Sequence, residues 1–470
     1  MDRNKRLLRN TIIYFVGNIS SKLLSFLLLP LYTTFLTTKD YGKVDLIFTY
    51  TAVIIPIITL QITFAGFRYL FDTEDAKKQK LIISNTMAVN LFGMGLFSLI
   101  YLIIWKVFHF EYGLLIILYL LLNLISSSFQ QLTRGLRKNE VYTIVGVIST
   151  FVQLICNVLF IVGLGYRSTA LILSPIVASI ASIIYIIFKV KIYNYIDFNL
   201  VNKKDIQQML KYSLPLVPDA VCWWLLLGFG RMVLSFTNGV DSVGVYAVAN
   251  KFPSVVTMFY SIFNLAWQEN SFSEYDKADR DSYYSSIYNK LLIFIIPVII
   301  ILIPFTKIIS QVMIKQNFIN AYLYIPILYI GALISILSTF YGSGFESAKE
   351  TKGILVSTMY AMITNIVLNL LLTPKFSIWG TCIALVASNV ILLISRINRS
   401  KKFYKINVTI KPVIILSIMT LIVFVLHYVN IQYIQLLSML LGCAAFLYYN
   451  KGIILICNNI LLKRLFKINK

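Results

Sequence analysis

Residues 291–305 read LLIFIIPVIIILIPF, an unbroken apolar run without a single charge. A helix needs about 20 such residues to cross the ~30 Å hydrocarbon layer of a bilayer, and this run reaches that length with its flanks. Comparable runs recur from end to end, among them LLIILYLLLNLISSS at 114–128 and PVIILSIMTLIVFVLHYV at 412–429. The whole chain of 470 residues is 58% hydrophobic and only 13% charged. Soluble helices alternate polar and apolar faces, and these segments do not. The reading is an all-α polytopic membrane protein.

About fourteen spanning segments can be marked, from 10–35 and 44–68 at one end to 410–430 and 434–457 at the other. The formal charge of +23 is unevenly distributed along them. With the amino terminus in the cytoplasm, segments such as KKQK (77–80), RGLRK (134–138), NKK (202–204) and RINRSKK (396–402) gather about 30 Lys and Arg inside, against about seven outside. Both termini are then cytoplasmic. The basic excess sets topology and meets anionic lipid; it is not a nucleic-acid footprint. The basic start MDRNKRLLRN is followed by an apolar run too long for a signal-peptide core and without an evident small-residue cleavage site, so a retained first helix is expected.

The chain looks duplicated. At an offset of 202, Gly42 falls on Gly244; at 208, Ser149, Thr150 and Asn157 fall on Ser357, Thr358 and Asn365; at 209 and 210, the triplets VAS and ILY recur. The expected organisation is an amino-terminal six-helix bundle (1–194), a cytoplasmic linker with an interfacial helix (195–212), and a second six-helix bundle (213–400). Two additional helices and a basic carboxy terminus follow (401–470). Six helices per repeat is an even number, so the bundles enter from the same side and are related by a pseudo-two-fold axis along the membrane normal, around a central cavity.

Several charges lie where a bilayer would make them costly. In 246–272, YAVANKFPSVVTMFYSIFNLAWQENSF, a polar stripe of Lys251, Ser254, Thr257, Ser261, Asn264 and Gln268 recurs at spacings of three or four. Lys22 sits with Asn18 about twelve residues into the first helix, too deep to reach water readily. Arg68 ends the second segment and Arg231 lies inside the seventh, after Pro215, Pro218 and Asp219. Arg68 and Glu269 stand near helix ends, where side chains snorkel to the interface. Arg231 and Lys251 either lie near the outer face, pair with carboxylates such as Asp219, or face a cavity. A cavity lined by Lys22, Arg68, Arg231 and Lys251 suits an anionic cargo, and phosphate matches them through charge-assisted hydrogen bonds.

Four stretches carry a family resemblance: ANKFPSVV and AWQENSF within 246–272, DLIFTYTAVIIPIITLQITFAGFRYLFD (45–72), YSLPLVPDAVCWW (212–224) and AYLYIPILYIGALISILSTFYGSGFESAKETK (321–352). They resemble the bacterial polysaccharide-repeat-unit flippases, the Wzx-type exporters of the multidrug/oligosaccharidyl-lipid/polysaccharide (MOP) superfamily. The resemblance implies a fourteen-helix fold in the bacterial cytoplasmic (inner) membrane. Its cargo would be undecaprenyl-diphosphate-linked oligosaccharide, moved to the outer leaflet by alternating access for O-antigen or capsule, with a polymerase and chain-length machinery as further partners. Many relatives carry an acid just before the helix-7 arginine, where this chain has Gly230, which puts a local ion pair at Arg231 in doubt. Lys251 and its stripe would line the cargo path; Asp219 and Glu269 are candidates for gating or ion coupling, with Arg68 the opposite charge for Glu269.

Other readings predict different residues. A drug–cation antiporter of the same superfamily would be expected to carry acids in the first bundle, where Lys22 and Arg68 stand. A membrane polymerase or acyltransferase would show a large external loop with catalytic groups, but none is visible, and His109 and His427 are isolated. No P-loop occurs, and five scattered cysteines form no CxxC pair. No catalytic residue, cofactor or metal is expected.

Overall fold

The structure is a computed structural model that describes residues 26–465 except 349 and 430. Among them are sixteen α-helices and no strand. In chain order these are α1 (Leu29–Phe35), α2 (Thr38–Thr59), α3 (Ile62–Phe71), α4 (Ala76–Phe108), α5 (Gly113–Gly135), α6 (Asn139–Val158), α7 (Ser168–Val190) and α8 (Lys203–Ser213). There follow α9 (Leu216–Asn238), α10 (Val240–Glu274), α11 (Arg280–Met313), α12 (Ile325–Ser347), α13 (Thr351–Phe376), α14 (Ile378–Ser400), α15 (Ile410–His427) and α16 (Gln432–Leu465).

Twelve spans among the described residues are long and apolar enough to cross a membrane, counting α8 with α9 as one. Two of the fourteen expected segments are not in that set. The first lies largely outside the described residues. The other is α10, whose 35 residues exceed the needed length but whose polar stripe lowers its hydropathy. The chain is therefore a multi-pass membrane protein, as its apolar runs require.

The expected second segment, 44–68, is corrected in two ways. It starts earlier, because Thr37 and Asp40 form a capping box: the Asp40 amide donates to Thr37 Oγ1 at 3.1 Å and the Thr37 amide to Asp40 Oδ2 at 3.2 Å. It also breaks. Leu60 and Gln61 both adopt left-handed conformations, with φ of 49° and 55°. Such conformations cost roughly 1–2 kcal/mol each for residues with a Cβ, so neighbours must hold the break. Thr59 Oγ1 donates back to the Ile55 carbonyl at 2.9 Å, and on the far side Thr63 joins Ser128 and Asn90 in a buried cluster with contacts of 3.1–3.2 Å. Pro56 cannot donate to the helix ladder and weakens it just before the break.

The described residues form two compact units. One runs up to Ala247 and includes Asn369–Ser377; the other comprises Val248–Leu368 and the chain from Ile378 onward. The boundary thus falls inside α10, beyond the 195–212 linker. The reason lies in packing: α9 lies against α2, although by sequence it opens the second repeat. The linker itself is tied to α4, where the Asp197 amide donates to Ser84 Oγ at 2.8 Å and the Asn202 amide to Asn85 Oδ1 at 3.0 Å. Asn202 caps α8, and Met209 on its apolar face joins the core formed by Ile62, Leu70, Ile83 and Leu132.

The repeat shows in pairwise packing. In the amino-terminal unit α5 packs on α7, and in the carboxy-terminal unit the equivalent pair, α12 and α14, pack together. The last two helices, α15 and α16, both pack on α11.

Candidate functional site

Two polar seams carry most of the singled-out residues, one in each unit. The first runs between α2 and the α9–α10 corner of the amino-terminal unit. Thr38, Gly42, Asp45 and Thr49 recur at helical spacing on one face of α2. Gly42 and Gly244, the pair related by the repeat, meet backbone to backbone: a Cβ on Gly42 would press into the Val240 carbonyl, and one on Gly244 into the Thr38 carbonyl. Thr38 Oγ1 donates to Asp241, and Trp224 Nε1 donates to the Thr49 carbonyl at 2.5 Å.

Arg231 lies in this seam. Its Nε donates to Asp45 Oδ2 at 2.8 Å, its Nη1 to the Leu227 carbonyl at 2.6 Å, and its guanidinium lies 5.2 Å from the centre of the Tyr246 ring. The side chains of the ion pair are 16% and 21% exposed. The carboxylate that meets Arg231 is therefore Asp45 from α2, and neither Asp219 nor a residue at position 230. A helix beginning at 44 would leave Asp45 at its exposed start; the TTKD capping signal at 37–40 puts it two turns inside.

The second seam joins α10 to α12 in the carboxy-terminal unit. Gln268 donates to the exposed Glu346. Asn264 Oδ1 accepts from Tyr260 at 3.2 Å and Ser343 at 3.4 Å, and Ser347 donates to Ser271 at 2.9 Å. Below this polar edge Trp267 is fully buried and stacks on Phe340 at 4.4 Å. The AWQE and GSGFES motifs are thus halves of one contact. In the same stripe Ser254, Thr257 and Ser261 turn back onto carbonyls of their own helix at 2.6–3.0 Å. Lys251 is half-buried at the head of the stripe, and Glu269 is exposed at its foot.

Arg68 is exposed on α3 and pairs with Asp72 one turn on. Asp219 stands in the first turn of α9. Lys22 and Asn18 lie outside the described residues. Arg396 is a further buried cation, outside the residues that the sequence singles out. It reads as a topological cation at the end of a span, yet it is 2% exposed, with Nη1 on the Ser338 carbonyl at 2.8 Å and Nε on Ser357 Oγ at 3.4 Å. A signal was present: Ala384, Ser388, Leu392, Arg396 and Ser400 form an i, i+4 row, and all five are buried.

The two units carry equivalent helix pairs and hold cations, Arg231 and Arg396, inside spanning helices. An inward-facing multidrug resistance MATE family transporter of the MOP superfamily superimposes with a TM-score of 0.69 at 12% identity, over 84% of this chain and 98% of that one. The lipid II flippase MurJ in an inward closed conformation gives 0.69 at 17% identity, over 94% and 100%. An outward-facing MATE transporter gives 0.61 at 13% identity, over 86% and 96%. The chain shares its fold with these structures. A family model described as polysaccharide biosynthesis protein matches residues 7–267, more than half of the chain. The chain belongs to that polysaccharide biosynthesis family. A search of curated proteins gives no significant sequence match.

Proposed function

We propose that this protein carries undecaprenyl-diphosphate-linked oligosaccharide repeat units from the cytoplasmic to the outer leaflet of the bacterial cytoplasmic membrane, by alternating access, for surface polysaccharide assembly. The family supports a role in polysaccharide biosynthesis, and the likeness to MurJ supports a lipid-linked cargo. The observation that carries the reading is Arg231, a guanidinium inside a spanning helix whose only carboxylate partner among the described residues is Asp45. A diphosphate offers the same pairing with more charge, so cargo exchanges with Asp45 for Arg231 and releases the α2–α9 seam. Within the carboxy-terminal unit, Lys251 supplies a cation at the head of the stripe of Ser254, Thr257, Ser261, Asn264 and Gln268, which offers hydroxyl and amide groups of the kind that a glycan binds. Asp219 and Glu269 are the acids of this reading for gating or ion coupling, and Arg68 stands as a cation on α3 beside Asp72.

A drug–cation antiporter needs an acid open to its cargo in the first bundle. The acid that the α2 face does provide, Asp45, is occupied by Arg231. The test is deletion followed by analysis of lipid-linked intermediates. Accumulation of a lipid-linked oligosaccharide on the cytoplasmic side, with loss of surface glycan, is the expected result. Unchanged surface glycan together with new drug sensitivity would overturn the reading in favour of the antiporter.

A further inference from the structure

The RGLRK segment that closes α5 belongs to neither seam. Gly135 lets this end lie flat on α3, since a Cβ there would stand 3.0 Å from Leu70. The close approach lays the Arg134 guanidinium over the Phe67 ring, 4.9 Å from its centre. Arg137 adopts a left-handed conformation, with φ of 58°, and swings back over Phe71 at 5.0 Å. It donates to Glu74 at 2.7 Å and to the Phe71 carbonyl at 3.1 Å. Lys138 reaches the Val190 carbonyl at 3.4 Å, which brings the end of α7 to the same place.

The arginines of α3 and of this end of α5 differ in one respect. Arg68 is paired with Asp72 and Arg137 with Glu74, whereas Arg134 is exposed and in no ion pair among the described residues. A guanidinium stacked by its face keeps its edge donors available, and that edge matches two oxygens of a phosphate. A free anion has no use for the rings. Phe71 is 49% exposed beside the charges, an arrangement suited to the boundary between headgroups and acyl chains.

We infer that this end of the amino-terminal unit is a docking site for the phosphate headgroup of an anionic phospholipid, gripped by the edge of Arg134 with the acyl chains along Phe67 and Phe71. The inference rests on the membrane-spanning fold and not on the transport reading. The full-length protein, in vesicles of phosphatidylcholine with rising phosphatidylglycerol, is assayed for retained lipid by native mass spectrometry. Wild type retains phosphatidylglycerol in preference to phosphatidylcholine. Arg134→Gln weakens that retention about fivefold, the effect of removing one interfacial cation. Phe67→Leu, which keeps the charge and removes the ring, weakens it less, and Lys401→Gln leaves it unchanged. Equal retention by wild type and Arg134→Gln would overturn the inference. So would retention of undecaprenyl diphosphate that phosphatidylglycerol does not displace, because the site would then belong to a lipid diphosphate.

Discussion

The seam between α2 and α9 and the seam between α10 and α12 hold their helices by different chemistry. The first combines a partly buried ion pair, Arg231 with Asp45, and a glycine contact in which no side chain intervenes. The second sets an amide against an exposed carboxylate, Gln268 on Glu346, above a buried aromatic stack. A charge pair out of water leaves a costly residue when one member is lost, and backbone contact leaves no room for an added atom. An amide and an exposed carboxylate can each return to water. The first seam is therefore strict and the second forgiving.

Adding bulk tests this contrast most severely. Gly42→Leu or Gly244→Leu forces α2 and α10 apart and should abolish surface glycan, with a loss of roughly 1–3 kcal/mol or more in stability. Gly95→Leu, where nothing stands within 4 Å of an added Cβ, should leave both unchanged. Thermal unfolding in detergent, read beside surface glycan at equal membrane protein, separates the two. Equal tolerance at Gly42 and Gly95 would remove the close contact.

Neutralising the ion pair comes next. Asp45→Asn and Arg231→Gln should each destabilise by about 1.5–3 kcal/mol, as expected for a hydrogen bond between charged groups. The double variant should lose less than the sum, because neither member is then stranded. Additive losses would mean that the two residues act independently.

The smallest effect is expected in the second seam. Gln268→Leu should cost about 0.5–1.5 kcal/mol, and Glu346→Gln less, since an amide still accepts from Gln268. A larger loss from Glu346→Gln than from Asp45→Asn would invert the comparison.

The spans were legible because length and hydropathy alone decide them. The break at Leu60–Gln61 was not, because neither residue carries a local signal; Thr63, Asn90 and Ser128, from three different helices, hold it. The cation in α9 was legible as an anomaly, but its partner lies 186 residues away in sequence. Arg396 was hidden for the opposite reason: a basic residue at the end of a span is what topology predicts, and only its i, i+4 neighbours reveal that it points inward. Composition thus exposed charges that are out of place and concealed one that looked in place.

The central claim is that Arg231 alternates between Asp45 and the diphosphate of the cargo. Charge reversal tests it most directly, with surface glycan measured at matched protein levels for Arg231→Asp, Asp45→Arg and the double variant. Each single reversal should abolish export, because like charges then face each other across the seam. The double variant should regain the folded seam, shown by a thermal midpoint near wild type, but export only weakly, because the cation now sits on α2. Wild-type export from Arg231→Asp would contradict the account, and full export from the double variant would reduce the pair to a structural tie.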